Sequence, residues 1–174
     1  MSESSNGTAA LEYNPIKFGN EILPDAPEGG WEMTILRGKS KVGPTKNKDP
    51  MLTISVKLDR ADEDENESAQ GTQLTVRFIF GDDSGARKWA LNRTKRELNA
   101  VCGQLDLDPG AYTLSGTRDP GEELAGFIQL IEGKSLKGYT THRVNKQTGF
   151  KETNVTFVRP SQYAGAANVA ASDD

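Results

Sequence analysis

The sequence predicts a mainly β fold with one helix, arranged as a five-stranded Greek-key barrel. Three observations carry that prediction. Period-two hydrophobicity recurs through residues 31–80, one stretch of helical spacing follows, and two further apolar segments close the region. The chain has 174 residues, enough for one domain with flanks to spare. Residues 29–160 are the expected barrel domain. Residues 1–28, rich in serine and punctuated by Pro15, Pro24 and Pro27, are expected to be flexible. Residues 161–174 are expected to be a disordered tail ending in Asp173 and Asp174.

Each element follows from its own pattern. Residues 31–37 (WEMTILR) put Trp31, Met33 and Ile35 on one face. Lys39 to Asp49 reads as a polar, basic loop. Residues 51–58 (MLTISVKL) turn Leu52, Ile54, Val56 and Leu58 inward and Thr53, Ser55 and Lys57 outward. An acidic loop, 59–72, leads to 73–80 (QLTVRFIF), with Leu74, Val76, Phe78 and Phe80 inward and Thr75, Arg77 and Ile79 outward. The connections are too short for helical crossovers, so these three strands should be antiparallel. The period then changes: Ala86, Ala90, Thr94, Leu98, Val101, Cys102 and Leu105 are spaced as one helix face, with Trp89 packed beside them. Asp83 or Ser84 suits its cap and Gly103 its stop. After a Gly/Pro-rich connection over 106–123, the fourth strand is expected at 124–132 (LAGFIQLIE) and the fifth at 153–159 (TNVTFVR). Between them Gly133 to Glu152 reads as a long protruding hairpin arm with its turn at Asn145–Gly149.

Composition narrows the function. The net charge of −4 conceals a division: residues 29–160 carry 20 Lys/Arg against 18 Asp/Glu, and the stretch 59–67 holds six of those acids. The remainder of the predicted barrel is therefore basic, which admits a polyanionic partner. There is no long apolar run and no apolar leader, which predicts no membrane association and a cytoplasmic location. One cysteine, Cys102, and one histidine, His142, leave no material for a disulfide, a zinc site or a His-based nucleophile system. The acids of 59–67 lack the glycine and the spaced terminal glutamate of an EF-hand loop and read as a solvated turn. A non-catalytic protein without metal or cofactor is expected.

Three strands, a helix and two strands is the element order of the OB-fold, which binds oligonucleotides on its second and third strands and the loops beside them. Both of those loops are basic here. The predicted nucleic-acid-binding residues are accordingly Arg37, Lys39, Lys41, Lys46 and Lys48 in the first loop and Lys57 and Arg77 on the face. The arm adds Lys134, Lys137, Tyr139, His142, Arg143, Lys146, Phe150 and Lys151. Cations would follow phosphates, and Tyr139 and Phe150 would stack on bases.

The run GGWEMTILRGKSK, then PMLTISVKL, QLTVRFIF, a basic helix with Trp89, and GKSLKGYTTHRVN…TNVTFVRP resembles a family of small phage-encoded proteins over roughly residues 14–160. That resemblance implies an OB-like fold and single-stranded-DNA binding in phage DNA replication or recombination, inside the bacterial host cell. Phage or host replication and recombination proteins are expected as further partners, and the sequence leaves monomer and homodimer both open. The chain ends without the closing hydrophobic residue such proteins carry. The alternatives are an accessory module that docks a host protein, and a structural virion protein.

Overall fold

The computed structural model describes residues 25–82, 85 and 87–163. Within them, strands β1 (Gly29–Ile35), β2 (Lys41–Pro44) and β3 (Pro50–Ala61) come first, then a 3-10 turn (Asp64–Ala69) and β4 (Gln73–Ile79). Helix α1 (Lys88–Leu105), a second 3-10 turn (Pro109–Ala111), helix α2 (Pro120–Ile131), β5 (Ser135–Val144) and β6 (Lys151–Thr156) complete the order. All the ladders are antiparallel. The path runs β2-β3-β1-β5-β6, and β4 lies along the other side of β3.

The core is built by the alternation that defines the strands. Trp31, Met33 and Ile35, then Leu52, Ile54, Val56 and Leu58, then Leu74, Val76 and Phe78 are all buried. Each such side chain contributes about 1.5–3 kcal/mol of burial. Leu124, Phe127 and Ile131 cover them from α2, and Val101 and Cys102 from α1. The Trp31 indole donates to the Thr140 hydroxyl at 3.1 Å, and that hydroxyl donates to the Pro27 carbonyl at 2.6 Å. The largest buried side chain is thereby satisfied at its polar end.

The structure corrects the five-stranded, one-helix barrel in several places. Among the described residues there are six strands and more than one helix, α1 and α2 among them, and the sheet is open: β4 and β6 share no backbone ladder. The sixth strand, β2, comes from the predicted basic loop. Val42 supplies a half-buried position, and the turn Thr45–Asp49 closes on a 2.9 Å bond from the Thr45 amide to the Asp49 carbonyl.

The predicted fourth strand at 124–132 is helix α2. Its signal lay upstream, in the connection assigned to 106–123. Asp119 accepts from the Glu122 amide, Pro120 opens the first turn, and Glu122 and Glu123 favour the positive helix end. The inward residues Leu124, Phe127 and Ile131 are spaced for a helix face, not a strand. The fourth long strand is instead β5, inside the predicted arm. Its inward residues are Leu136, Gly138 and Thr140, and the last two are too small or polar to show as hydrophobic alternation. Gly138 leaves room for Met33 there: a β-carbon would sit 2.6 Å from the Met33 sulfur, so the methionine side chain would have to shift. What remains of the arm is the turn at Asn145–Gly149, closed by a 2.9 Å bond from the Asn145 amide to the Phe150 carbonyl.

Smaller differences follow the same logic. The acidic loop is partly ordered structure, since Asp59–Ala61 extend β3 against β1 and a 3-10 turn follows. Helix α1 runs past Gly103 and ends at Asp106 in the left-handed region, φ 58°. Asp tolerates that conformation better than most residues. Trp89 is not packed but 66% exposed. The candidate caps Asp83 and Ser84, Ala86, most of the predicted flexible segment (1–24) and most of the predicted tail (164–174) lie outside the described residues. Among the described residues no helix is long and apolar enough to cross a membrane.

Candidate functional site

Because successive ladders are antiparallel, β4 and β6 run in the same direction as they approach each other. The rings of Phe78 and Phe157 stack between them at 6.3 Å. The two strands are joined through side chains rather than through backbone pairing, and the line between them is a seam.

Alternation identifies which backbone groups face that seam. The Phe80 amide donates to the Pro50 carbonyl at 2.9 Å, so Leu74, Val76, Phe78 and Phe80 pair toward β3. Thr75, Arg77 and Ile79 turn their amides and carbonyls the other way. On β6, the Asn145–Phe150 bond sets the parity, so Thr153, Val155 and Phe157 face away from β5.

Helix α1 covers one end of the seam with its own polar side chains. The Thr94 hydroxyl donates to the Ile79 carbonyl at 2.6 Å. The Glu97 carboxylate accepts from the Phe157 amide at 2.6 Å and from the Tyr163 hydroxyl. Farther along, the Gln104 amide exchanges two bonds with Lys137 of β5, at 2.6 and 2.8 Å. Thr94 and Glu97 are buried, each 4% exposed, because they replace a missing strand partner. Burial pushes the Glu97 carboxyl above its ordinary range, against the hydrogen bonds from Tyr163 and Phe157. Burial and then the bond to Glu97 push the Tyr163 phenol well above its ordinary value.

Beyond this cap the seam opens into a cleft of about 250 Å³. Arg77 enters from β4, Arg93 from α1 and Arg143 from β5, with Trp89 and Asn154 at the walls. The arginines are exposed. Arg93 stacks on the Tyr163 ring, 4.8 Å from its centroid. Arg143 lies 3.8 Å from Glu152, and Arg77 has no ion pair among the described residues. The carboxylate lining this cleft, Glu97, is already committed to two donors. Even with Glu152 beside Arg143, cations outnumber acids at the cleft, and the excess concentrates anions at this point.

The other predicted binding residues scatter. Lys137 pairs with Asp62 and lies 5.8 Å from the Tyr139 ring. Lys57 lies 3.6 Å from Asp59. The His142 ring nitrogen is 2.6 Å from the Ala26 carbonyl, so it fastens the chain entering β1. Lys41, Lys46 and Lys48 belong to the β2 hairpin, and Arg37 and Lys39 to the turn before it. Lys134 precedes β5, while Lys146, Lys151 and the 62% exposed Phe150 sit at the β5–β6 turn. The structure thus brings together Arg77 and Arg143 and adds Arg93 and Trp89, while none of the predicted cations of the first basic loop lines this cleft. Arg93 carried a weak signal as a helix cation. Trp89 carried a misleading one, since it sits beside the apolar stripe.

A second concavity, about 510 Å³, lies under α1 and the α1–α2 connection. Phe80, Leu98, Tyr112, Leu124 and Phe127 line it, with Lys95 as its charged residue. Cys102, 2% exposed, forms part of its wall, and burial raises its thiol above the usual range. Among the described residues no cluster of His, Cys, Asp and Glu is arranged to hold a metal ion.

The chain matches no known family in a scan of family models, and no curated protein matches it. The resemblance to phage single-stranded-DNA-binding proteins therefore has no support from relatives. Its structural basis, a closed five-stranded barrel with one helix, is replaced among the described residues by an open six-stranded sheet with more than one helix. The single-stranded-DNA assignment, with its replication and recombination setting, falls with that basis.

Proposed function

We propose that this protein is a non-catalytic binding module that captures an anionic segment of a partner in the seam cleft. The convergence of Arg77, Arg93 and Arg143 from three different elements carries the reading. Charges on one exposed helix face need no explanation, but charges brought together from a strand, a helix and a second strand leave an excess of positive charge, only partly answered by Glu152, for a ligand to meet. Trp89 at the cleft wall offers a flat apolar surface beside them, suited to anchoring a ligand side chain. The reading as a binder rather than a catalyst is supported by the cleft's titratable groups. They are arginines, which stay charged, and a glutamate already bonded on both sides.

Trp89 is also the natural reporter, because the other tryptophan, Trp31, is fully buried. Titration of the protein with polyglutamate should change Trp89 emission, and Trp89→Phe should silence the signal. Replacing Arg77, Arg93 and Arg143 together by alanine should weaken binding roughly tenfold or more, equivalent to about 1.4 kcal/mol. Raising salt from about 0.1 M to about 1 M shortens the screening length from about 10 Å to about 3 Å and should weaken it similarly. Unchanged affinity in the folded triple variant would reject the cleft.

A further inference from the structure

We propose that the second concavity, under α1 and the α1–α2 connection, binds a small amphiphile with an apolar body and a single carboxylate. It is separate from the seam cleft, because α1 serves the two with different faces. Trp89, Arg93 and Glu97 line the cleft, whereas Leu91, Lys95, Leu98 and Cys102 line the concavity. Spacings of three and four residues put the second group on one stripe of the helix.

The first support is the lining. A volume of about 510 Å³ lies within the roughly 300–1,000 Å³ of small-molecule sites. Cys102, Leu124 and Phe127 are buried there and belong to the core. Phe80, Leu98, Tyr112 and Leu114 pack against that core yet stay half-buried. The Tyr112 and Phe127 rings meet at 4.8 Å, so part of the wall is a rigid aromatic pair. An apolar ligand would complete the burial that these side chains leave unfinished, at about fourfold in affinity per methylene.

The second support is charge. Lys95 is the one charged residue among the described residues lining the concavity. It is exposed and has no ion pair among the described residues. Asn99 stands one helical turn farther on, also exposed and also lining the concavity, and adds an amide donor. One ammonium beside one amide matches a carboxylate. A phosphate dianion would bring more charge than this mouth can answer.

The test uses the whole protein, with leucine and valine methyl groups labelled for NMR. Decanoate, kept below micelle-forming concentrations, should shift the methyls of Leu91, Leu98, Leu114 and Leu124. Those of Val76 and Val155, which line the seam cleft, should stay in place. Octanoate, two methylenes shorter, should bind about tenfold more weakly. Decanol, which lacks the charge, should also bind more weakly than decanoate. Lys95→Met keeps the apolar stem at an exposed position and should weaken decanoate about three- to fivefold while leaving decanol unchanged. The flat carboxylate 2-naphthoate is run beside decanoate. Shifts at the four leucines from either carboxylate bear the proposal out, and failure of both overturns it. Equal affinity for decanoate and decanol would overturn the carboxylate as the recognised head. Displacement of decanoate by polyglutamate, or shifts confined to Val76 and Val155, would place it in the seam cleft and overturn the separate site. Failure here leaves the arginine cleft standing, since that reading is tested by polyglutamate alone.

Discussion

The two sides of the sheet are closed by different chemistry. At the centre, β1 lies between β3 and β5 and pairs with both, over Trp31, Met33 and Ile35. At the seam, β4 and β6 come together without a ladder, and Thr94 and Glu97 of α1 answer the edge groups instead. The centre is held by apolar burial and continuous backbone pairing. The seam is held by a few bonds whose loss leaves a buried polar group unpartnered. The difference teaches where binding can be accommodated: a continuous ladder has no free edge, whereas a side-chain cap can stop partway.

Breaking the centre should have the largest effect. Trp31→Ala removes a fully buried indole and its bond to Thr140, and is expected to cost about 3–5 kcal/mol of unfolding free energy in a denaturant titration. A loss under 1 kcal/mol, by the same scale, would show that the centre is not the stability core.

At the seam, Glu97→Ala leaves the Phe157 amide and the Tyr163 hydroxyl without their acceptor and should cost about 1–3 kcal/mol. Hydrogen exchange at the Phe157 amide should quicken before the strands of the centre open. The same residue carries a pH signature. Its folded carboxyl is raised above the ordinary 4.5, so the folded state holds the proton more tightly than the unfolded chain. That contribution is complete below the ordinary value and is lost as pH rises through the raised one. Stability of the parent relative to Glu97→Gln should therefore fall as pH rises above the ordinary carboxyl range. A rising difference would contradict the role of burial at Glu97.

The smallest of these effects should come from Thr94→Val, which keeps the shape and deletes the donor to the Ile79 carbonyl. The expected loss is about 1 kcal/mol. Combined with Glu97→Ala it should be non-additive, since the two side chains cap one seam.

Much of the centre was legible in the sequence. The alternations of 31–35, 52–58 and 74–78 are the buried faces of β1, β3 and β4, because two-sided strands at a core write themselves as period two. The second half was less legible for identifiable reasons. Apolar residues at 124, 127, 128 and 131 carry the helical period, but the window is short and apolar enough to pass for a buried strand, and the deciding cap at Asp119–Pro120 sits outside it. In β5, Gly138 and Thr140 occupy core positions because Met33 and Trp31 fill the space above them. The candidate site was legible only as scattered cations. Arg77 and Arg143 lie on different strands, and their meeting depends on how far β4 and β6 stand apart, which no local pattern encodes.

The central position of β1 has a consequence for synthesis. Trp31 and Thr140, bonded in the finished protein, are 109 positions apart along the chain. At roughly 5–20 residues per second, a ribosome takes about 5–20 s to cover that interval. Throughout it β1 can pair with β3, but the edge destined for β5 stays bare beside an uncovered Trp31 and Met33. The nascent chain thus carries for several seconds the aggregation-prone edge that the finished molecule hides. A chaperone that shields extended apolar strands would be most useful to this protein before its last thirty or so residues emerge.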